Sequence, residues 1–324
     1  MEQNNLLEMR DLSVRYPNTQ HTVLRDVNLT LRAGDITCVI GESGSGKSTL
    51  LHSVLQLPGR VEITGGSVLF RGEDLQKMRP RQMRAVRGKG IGVVFQEPGA
   101  SLDPIRKIDR QFYDALRAHD RSVTRGYARQ RATELLQCME FPDPDRILDS
   151  CPVQLSGGMN QRVAIAVAMA LEPAVLLADE PTSALDATAQ VQVAEELLRL
   201  RAQYGTSILL ITHNMGVAAK LADQVAVLYA GRIAEYGPKD AVLHRPVHPY
   251  TRALLAAVPR PDGKLPCAIP GRRPEVFPEQ GCAFAPRCLQ AEEMCRQAAL
   301  RRHLVDAEHW TLCAKGDCNF AADT

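Results

Sequence analysis

The sequence predicts an α/β fold followed by a small, irregular C-terminal extension, and three observations support this. The strand-like runs AVLLAD, SILLIT and QVAVLY alternate with the helical segments QVQVAEELLRLRAQYG and MGVAAKLA, as in a βαβ sheet. Upstream, the apolar run ITCVIG, a glycine-rich turn and the helical KSTLLHSVLQL follow one another. After Gly237 prolines recur, so this segment cannot supply a long central strand.

The N-terminal part of the chain is predicted to form strands, and the part after it to form helices. LEMRDLSVRY and VNLTLR show the period-two alternation of half-buried strands. Residues 97–155 are polar and compatible with helices, as in RQFYDALRAH and YARQRATELLQCM, and are interpreted as a helical insertion. We therefore expect a domain at residues 1–237 that contains this insertion, and a second domain at residues 238–324.

Composition and charge are those of an ordinary soluble protein. The 324 residues include 45% hydrophobic and 23% charged residues with a formal net charge of +2, which implies no overall attraction to nucleic acid or anionic lipid. No apolar run approaches the roughly 18 residues that span a bilayer, and the start MEQNNLLEMRD does not resemble a secretory signal. Because a cytosolic location keeps thiols reduced, metal ligation or burial is expected for the nine cysteines rather than disulfide bonds.

The segment GESGSGKS fits the phosphate-binding pattern G-x-x-x-x-G-K-[ST] between a predicted strand and a predicted helix. Its glycines allow the backbone to wrap closely around phosphate oxygens at a helix N-terminus, which favours anions. Lys47 is expected to reach the β- and γ-phosphates and Ser48 to ligate Mg²⁺. A chance glycine-rich turn is the alternative. The expected nucleotide contacts in this loop are Gly41, Ser43, Gly44, Ser45, Gly46, Lys47, Ser48 and Thr49.

The segment AVLLADEP supplies a pair of carboxylates at the end of a predicted buried strand. Asp179 ends this strand, where α/β sheets place their ligands, and is expected to hold Mg²⁺. Glu180 follows directly and is expected to orient a water molecule in line with the γ-phosphate. Such a pair alone is usually a solvent-exposed pair without a catalytic role. Together with the phosphate loop it predicts a hydrolytic site.

The segment LSGGMNQR adds a second helix start that can bind an anion. Ser156 is a good N-cap, and Gly157 and Gly158 expose amides at the start of the apolar helix VAIAVAMAL. This segment resembles the signature motif of ABC-type ATPases, and the resemblance covers nearly the whole chain. It implies a P-loop NTPase fold, with a RecA-like core, an antiparallel β subdomain and a helical insertion, that binds ATP and Mg²⁺.

Four further residues take their expected roles from this resemblance. Gln96 in VVFQEP is similar to the Q-loop glutamine that senses Mg²⁺ and the attacking water. Asp186 in SALD is similar to the D-loop aspartate that crosses the dimer interface, and His213 in LLITHN to the switch histidine that contacts the γ-phosphate. Tyr16 resembles the aromatic residue that stacks on adenine, with packing on an early strand as the alternative.

The C-terminal segments HPYTRALLAAVP and GCAFAPRC resemble the extension of ATP-binding subunits from the oligopeptide, dipeptide and nickel importer group. In that group the cysteines are associated with a [4Fe-4S] cluster, which implies Cys282, Cys288, Cys295 and Cys313 as ligands. Their spacing is wider than that of the usual zinc pairs, so iron–sulfur is favoured and Zn²⁺ is the alternative. Cys267 and Cys318 are nearby, which leaves the fourth ligand open.

The resemblance also implies partners and a location. One chain has one phosphate loop and one signature motif, so we expect a dimer with a second ABC ATPase subunit, as a heterodimer or alternatively a homodimer. Two transmembrane permease subunits would contact the segment EPGASLDPIRKI, and an extracytoplasmic solute-binding protein would act indirectly. The chain would lie peripherally on the cytoplasmic face of the inner membrane, with no nucleic-acid partner.

The expected function is ATP hydrolysis that powers uptake of oligopeptides, dipeptides or a related small solute such as a nickel chelate or an opine. A soluble ABC ATPase that acts on nucleic acid or ribosomes is one alternative, and the ATPase of an exporter is another. The signature motif carries Asn160 where the group often has a basic residue or glutamine. This departure and the unusual GASLDPIRKI leave the matching membrane partner open.

Overall fold

The computed structural model describes residues 5–97, 101–183, 185–259, 265–272, 277–278, 280–297 and 299–315. The chain divides into two compact units, each drawn from several stretches of sequence. The first unit comprises Met1–Leu7, Leu31–Ile36 and Phe70–Thr212, and the second comprises Glu8–Thr30, Thr37–Leu69 and His213–Thr324. The domain boundary at residue 237 stays a prediction.

Twelve strands are formed by the described residues. They are β1 (Asn5–Arg15), β2 (Thr22–Arg32), β3 (Ile36–Ile40), β4 (Glu62–Phe70), β5 (Glu73–Asp74), β6 (Ile91–Val94), β7 (Val175–Asp179), β8 (Ser207–Ile211), β9 (Gln224–Tyr229), β10 (Arg232–Pro238), β11 (His303–Leu304) and β12 (Trp310–Thr311).

The same residues form eleven α-helices. They are α1 (Lys47–Leu55), α2 (Pro80–Ala85), α3 (Ile108–Arg117), α4 (Arg125–Cys138), α5 (Pro144–Asp149), α6 (Gly157–Ala168), α7 (Ala187–Tyr204), α8 (Met215–Leu221), α9 (Lys239–His244), α10 (Pro249–Ala256) and α11 (Met294–Gln297). Short 3₁₀ turns lie at Leu75–Lys77, Pro152–Gln154 and Ala285–Arg287, and a π-helical turn lies at Val86–Gly90.

In the first unit, strands β8, β7 and β6 lie side by side in that order, and both pairings are parallel. Helix α7 connects β7 to β8, which gives the βαβ unit that the apolar runs predict. Every residue of β7 is buried, because a parallel strand is covered on both faces. The segment predicted as a helical insertion contains α3, α4 and α5.

In the second unit, the strand order is β11-β12-β10-β9-β3, with β3 parallel to β9 and the other pairings antiparallel. Strands β2, β1 and β4 lie next to one another in a separate sheet. The irregular C-terminal extension adds the short strand β12 to the edge strand β10, where Tyr236 pairs with Trp310. Sequence patterning did not predict this pairing, because two residues are too few to show a period.

Within the described part of the chain, no helix combines the length and the apolarity that crossing a membrane requires.

Candidate nucleotide-binding site

The phosphate loop connects β3 to α1 in the second unit. Gly41 has a φ of 154°, and a Cβ atom at this position would lie 2.2 Å from the carbonyl oxygen of Leu228. Helix α1 begins at Lys47 after Gly46, whose φ of 107° belongs to the left-handed region. Glycine is therefore required at both positions, since a side chain would collide or strain the backbone.

The side chains of the loop divide into buried and exposed groups. Lys47 is buried, and its Nζ donates to the carbonyl oxygens of Gly41 at 2.9 Å and Glu42 at 3.0 Å. Ser45 and Thr49 are also buried, whereas Ser48 is exposed. Ser43 and Gly44 are exposed as well. The loop thus offers an ammonium group, hydroxyl groups and the N-terminus of a nine-residue helix to an anion.

Tyr16 directly follows β1 and is linked to the helix that the phosphate loop begins. Its hydroxyl lies 2.9 Å from Oγ1 of Thr49, while 42% of the residue is exposed. Leu12 and Val14 on the same strand are completely buried, so Tyr16 does not share their packing role. An anchored and accessible ring is suited to stacking on a base.

In the first unit, β7 ends at Asp179, which is buried, and the half-buried Glu180 follows directly. Glu180 has a φ of 46°, a left-handed conformation that is uncommon for a residue with a side chain. Its amide donates to the carbonyl oxygen of Ile211 at 2.9 Å, which maintains this conformation. Nε2 of Gln96 lies 3.5 Å from Oε2 of Glu180, so the structure brings these two predicted residues together.

His213 lies exposed in the turn between β8 and α8. The next residue, Asn214, caps α8, because its Oδ1 accepts hydrogen bonds from the amides of Gly216 and Val217. This cap fixes the backbone beside the histidine.

The predicted N-cap at Ser156 is confirmed. Its Oγ accepts a hydrogen bond from the amide of Met159 at 3.3 Å, at the start of the twelve-residue helix α6. Gly157 is exposed, and a Cβ atom there would have no neighbour within 4 Å. Nδ2 of Asn160 donates to the carbonyl oxygen of Pro152 at 2.9 Å. The unusual asparagine in this motif therefore holds the turn that precedes the helix.

The signature helix is anchored to its neighbours by Arg162. Nε of this residue lies 2.6 Å from Oε1 of Glu196 on α7, and its guanidinium lies 4.1 Å from the ring centre of Phe141. Glu196 is completely buried, and burial outweighs the nearby arginines to raise the pKa of its carboxyl to about 7.

The C-terminal extension is built around a buried polar network and an aromatic cluster. The amides of Val247 and His248 donate to the buried carboxylate of Glu235 at 2.8 and 2.9 Å. Nδ1 of His248 accepts from the amide of Tyr250 and so caps α10, and burial lowers the pKa of this histidine to about 4. The neutral ring near pH 7 keeps the lone pair that the cap requires. The HPY motif is thus a helix start, with Pro249 at its first position.

Four cysteines predicted as ligands line one small cavity, together with His248, Phe284 and other residues. They are Cys282, Cys288, Cys295 and Cys313. Burial raises the pKa of Cys282 to about 11, and the other three cysteines add to this rise. Within the described ranges, however, no group of three or more histidine, cysteine, aspartate or glutamate residues is arranged to hold a metal ion. The predicted metal-binding extension is therefore not established. Cys267 is exposed, and Cys318 lies outside the described residues.

The fold resembles that of MJ0796, an ATP-binding cassette whose dimeric structure was solved in a post-hydrolysis state bound to ADP and phosphate. The TM-score is 0.64 at 29% sequence identity, over 72% of this chain and 99% of that chain. The chain also matches the ABC transporter family at residues 24–183 and the oligopeptide/dipeptide transporter C-terminal region at residues 234–295.

Relatives align with this chain over most of its length. The oligopeptide transport ATP-binding protein OppD of Salmonella typhimurium is 39% identical over 300 residues, which cover 91% of this chain and 89% of that protein. The chain belongs to the ATP-binding proteins of oligopeptide and dipeptide ABC transporters. The dipeptide transport ATP-binding protein DppD of Bacillus subtilis is likewise 39% identical, over 90% of this chain and 88% of that protein. Membership confirms the predicted P-loop fold and makes the chain an ATPase whose hydrolysis of ATP is coupled to transport.

In this ABC ATPase, sequence analysis missed two features of the site. One is the left-handed backbone of Glu180, for which the sequence carries no signal because glutamate is not a residue that favours this region. The other is Glu42 in the phosphate loop, whose amide donates to the hydroxyl of Tyr250 in the C-terminal extension at 2.9 Å. Nothing local connects residues that are 208 positions apart.

Asp186 has a structural role in this ABC ATPase that sequence analysis also missed. Its Oδ1 accepts a hydrogen bond from the amide of Ala189 at 2.9 Å and so caps α7. The expected role at a dimer interface stays a prediction, and the two roles can be separated by substitution.

Asp186→Asn should keep the cap and remove the charge, so the free energy of unfolding should change by only a few tenths of a kcal/mol. Asp186→Ala should remove the cap and lower the free energy of unfolding by about 1 kcal/mol. Thr124→Ala, which removes the cap of α4, is the matched control for the loss of a cap elsewhere. Denaturant unfolding and ATPase assays would be run on each variant. Unchanged ATPase activity of the asparagine variant under dimer-forming conditions would argue against an interface role for the charge.

Proposed function

We propose that this chain is the ATP-hydrolysing subunit of a bacterial importer of oligopeptides or dipeptides. One observation carries the proposal: the phosphate loop and the HPY-type C-terminal region occur together on a chain that aligns over at least 90% of its length with relatives named for oligopeptide and dipeptide transport. Uptake of a nickel chelate or an opine is the alternative within the same group.

The phosphate loop supplies the groups that would bind the triphosphate. Lys47 carries the positive charge, and the buried Oγ of Ser45 has no hydrogen-bond partner among the described residues. A buried hydroxyl of this kind is costly unless a ligand satisfies it, so its position in the loop fits phosphate binding. Ser48, Asp179 and Gln96 would hold Mg²⁺, which when bound offsets the negative charge of the phosphates.

Glu180 would orient and polarise the attacking water, and two observations support this. Its strained backbone conformation is of the kind that persists where function requires a particular side-chain position. Its carboxylate also lies next to the amide group of Gln96, the residue expected to sense Mg²⁺ and the attacking water. We assign His213 to the γ-phosphate on the basis of its exposed position after β8.

The complete site requires a second ATPase subunit. The exposed helix start at Ser156 and Gly157 would close on the phosphates held by a neighbouring chain, because one chain supplies one such helix start and one phosphate loop. The related cassette MJ0796 was solved as a dimer. A heterodimer with a similar ATPase is proposed first, and a homodimer is the alternative.

Two membrane permease subunits would contact the first unit at an apolar patch formed by Ile105 and Val153, and ATP hydrolysis would drive them through this contact. Ile105 and Val153 are 81% and 70% exposed, and the amide of Val153 donates to the carbonyl oxygen of Pro104. Exposed apolar side chains held in place in this way mark an interaction surface. Ile105 belongs to the predicted contact segment EPGASLDPIRKI, of which residues 98–100 lie outside the described residues. The chain would therefore lie on the cytoplasmic face of the inner membrane.

Purification of the complex from its own membranes tests the proposal. We expect two membrane subunits and a second ATPase to accompany the chain, and ATP-dependent uptake of labelled dipeptides or oligopeptides by vesicles that contain the complex. Recovery of ribosomes or nucleic acid in place of membrane subunits would contradict the proposal. Uptake of a nickel chelate without uptake of peptides would change the solute while retaining the importer.

We further propose that the four cysteines of the cavity hold a [4Fe-4S] cluster. Their thiols form a soft donor set in one place, which suits iron–sulfur chemistry or zinc. A single zinc ion would require all four sulfur atoms about 2.3 Å away from it. A cluster bonds each thiolate to a different iron, so it accepts a wider arrangement and is favoured. When bound, it would cross-link a segment that has little apolar surface of its own.

Anaerobic purification distinguishes the metals. We expect a brown protein with about four iron and four sulfide per chain. Cys295→Ser should lose both, whereas Cys267→Ser, at an exposed cysteine that does not line the cavity, should lose neither. A colourless protein with one zinc per chain would decide for the alternative, and a preparation with neither metal would remove the proposal.

A further inference from the structure

Arg287 connects the C-terminal extension to the phosphate loop. It ends the 3₁₀ turn Ala285–Arg287, and only 4% of its side chain is exposed. Its Nη1 and Nη2 donate to the two carboxylate oxygens of Glu42 at 2.7 and 3.0 Å, which is the bidentate geometry of a strong ion pair. Its Nε donates to the carbonyl oxygen of Pro270 at 2.7 Å, so the guanidinium itself is held in place.

Glu42 is the second residue of the phosphate loop, and all of its polar groups are engaged. Its carboxylate pairs with Arg287, its amide donates to the hydroxyl of Tyr250, and its carbonyl oxygen accepts from Nζ of Lys47 at 3.0 Å. Two of these three contacts come from the C-terminal extension. The extension therefore determines the position of a residue whose neighbours are expected to surround the phosphates.

A carboxylate at this position has an electrostatic consequence. ATP brings several negative charges to the loop, and a half-buried carboxylate beside it would repel them, because screening by water is reduced there. Arg287 offsets the charge of Glu42 and directs both carboxylate oxygens toward the extension. Without the guanidinium, the loop would combine a binding lysine with an uncompensated negative charge.

We propose that Arg287 is a positioning residue for ATP, which neutralises Glu42 beside the bound phosphates, so that the C-terminal extension forms part of the nucleotide site. The proposal rests on the assignment of the phosphate loop as the ATP site. It gives the extension a role in the ATPase that is separate from any metal its cysteines hold.

The test is a double-mutant cycle in which the Kd for ATP is measured on the purified full chain, and the KM and kcat of hydrolysis are measured on the purified complex that contains the second ATPase subunit. Arg287→Met should raise the Kd and the KM about tenfold or more, with a smaller effect on kcat at saturating ATP. Adding Glu42→Gln should restore the affinity to within about threefold of the wild type, because the repelling charge is then gone. A merely structural link predicts no rescue, since Glu42→Gln breaks the same ion pair. Arg287→Lys, which keeps the charge without the fork, should fall between Arg287→Met and the wild type.

Controls separate this proposal from folding defects and from the site assignment. Arg252→Met is the matched control, because Nε of Arg252 also donates to a backbone carbonyl in the extension, that of Pro246 at 2.9 Å. The unfolding temperature of each variant is measured without nucleotide. If Arg287→Met does not fold, the ATP affinities of the double variant and of Arg287→Lys test the proposal in its place. Unchanged affinity in Arg287→Met, or loss without rescue by Glu42→Gln, would overturn the proposal. Lys47→Met with wild-type ATP affinity would instead overturn the assignment of the loop.

Discussion

Replacement of Glu180 by glutamine should slow ATP turnover about a hundredfold or more while ATP binding is preserved. Glutamine has nearly the same shape as glutamate, and its amide can still contact Gln96, which lies 3.5 Å from the carboxylate. It cannot accept a proton from water near neutral pH, so the attacking water would lose its activation. Single-turnover hydrolysis and equilibrium binding of ATP, measured on the same preparation, separate the two effects.

Glu134→Gln is the control for this experiment. Glu134 lies on α4 with 47% of its side chain exposed and accepts a hydrogen bond from Gln130, so its loss should leave both binding and turnover unchanged. Turnover in Glu180→Gln within a few-fold of the wild type would remove Glu180 from the role of water-orienting base.

Gly41→Ala should weaken ATP binding at least tenfold and lower the unfolding temperature of the nucleotide-free chain. The new methyl group would lie 2.2 Å from the carbonyl oxygen of Leu228, which is far inside van der Waals contact. The φ of 154° adds backbone strain of about 1–3 kcal/mol. The loop would have to move away from β9, and its amides would then no longer point together at the phosphates. Calorimetric titration with ATP and thermal unfolding measure the two effects.

Gly126→Ala is the matched control, since it makes the same chemical change in helix α4. A Cβ atom at Gly126 meets nothing within 4 Å, and alanine favours a helix over glycine by up to about 1 kcal/mol. This variant should be as stable as the wild type or more stable, with unchanged ATP affinity. If Gly41→Ala behaved in the same way, the close approach of the loop to β9 would not matter for binding.

Sequence alone predicted the parts of the site that are contiguous in the chain. The phosphate loop has a motif because helix starts and tight glycine turns need particular residues at fixed spacing. The cap at Ser156 follows from the same local chemistry. The strand β7 was predicted because a fully buried parallel strand is a continuous apolar run that ends where polar residues begin.

Contacts between distant residues could not be predicted in this way. Arg287 and Glu42 are 245 positions apart, and neither residue differs from an ordinary surface residue in sequence. The left-handed backbone at Glu180 depends on the hydrogen bond from its amide to Ile211 in a neighbouring strand, which no local pattern encodes. Asp186 shows a third reason: one residue can serve as a cap and also match a family motif, and the motif alone indicated a single role.

The pairing of β3 with β9 has a consequence for folding during synthesis on the ribosome. Thr37 pairs with Gln224, which is synthesised much later. Glu42 likewise pairs with Arg287, which is added to the chain 245 residues after it. At translation speeds of about 5–20 residues per second, roughly 10 to 50 seconds separate the two. During that interval the nascent loop lacks its neighbours, so ATP capture should begin only after the tail has emerged.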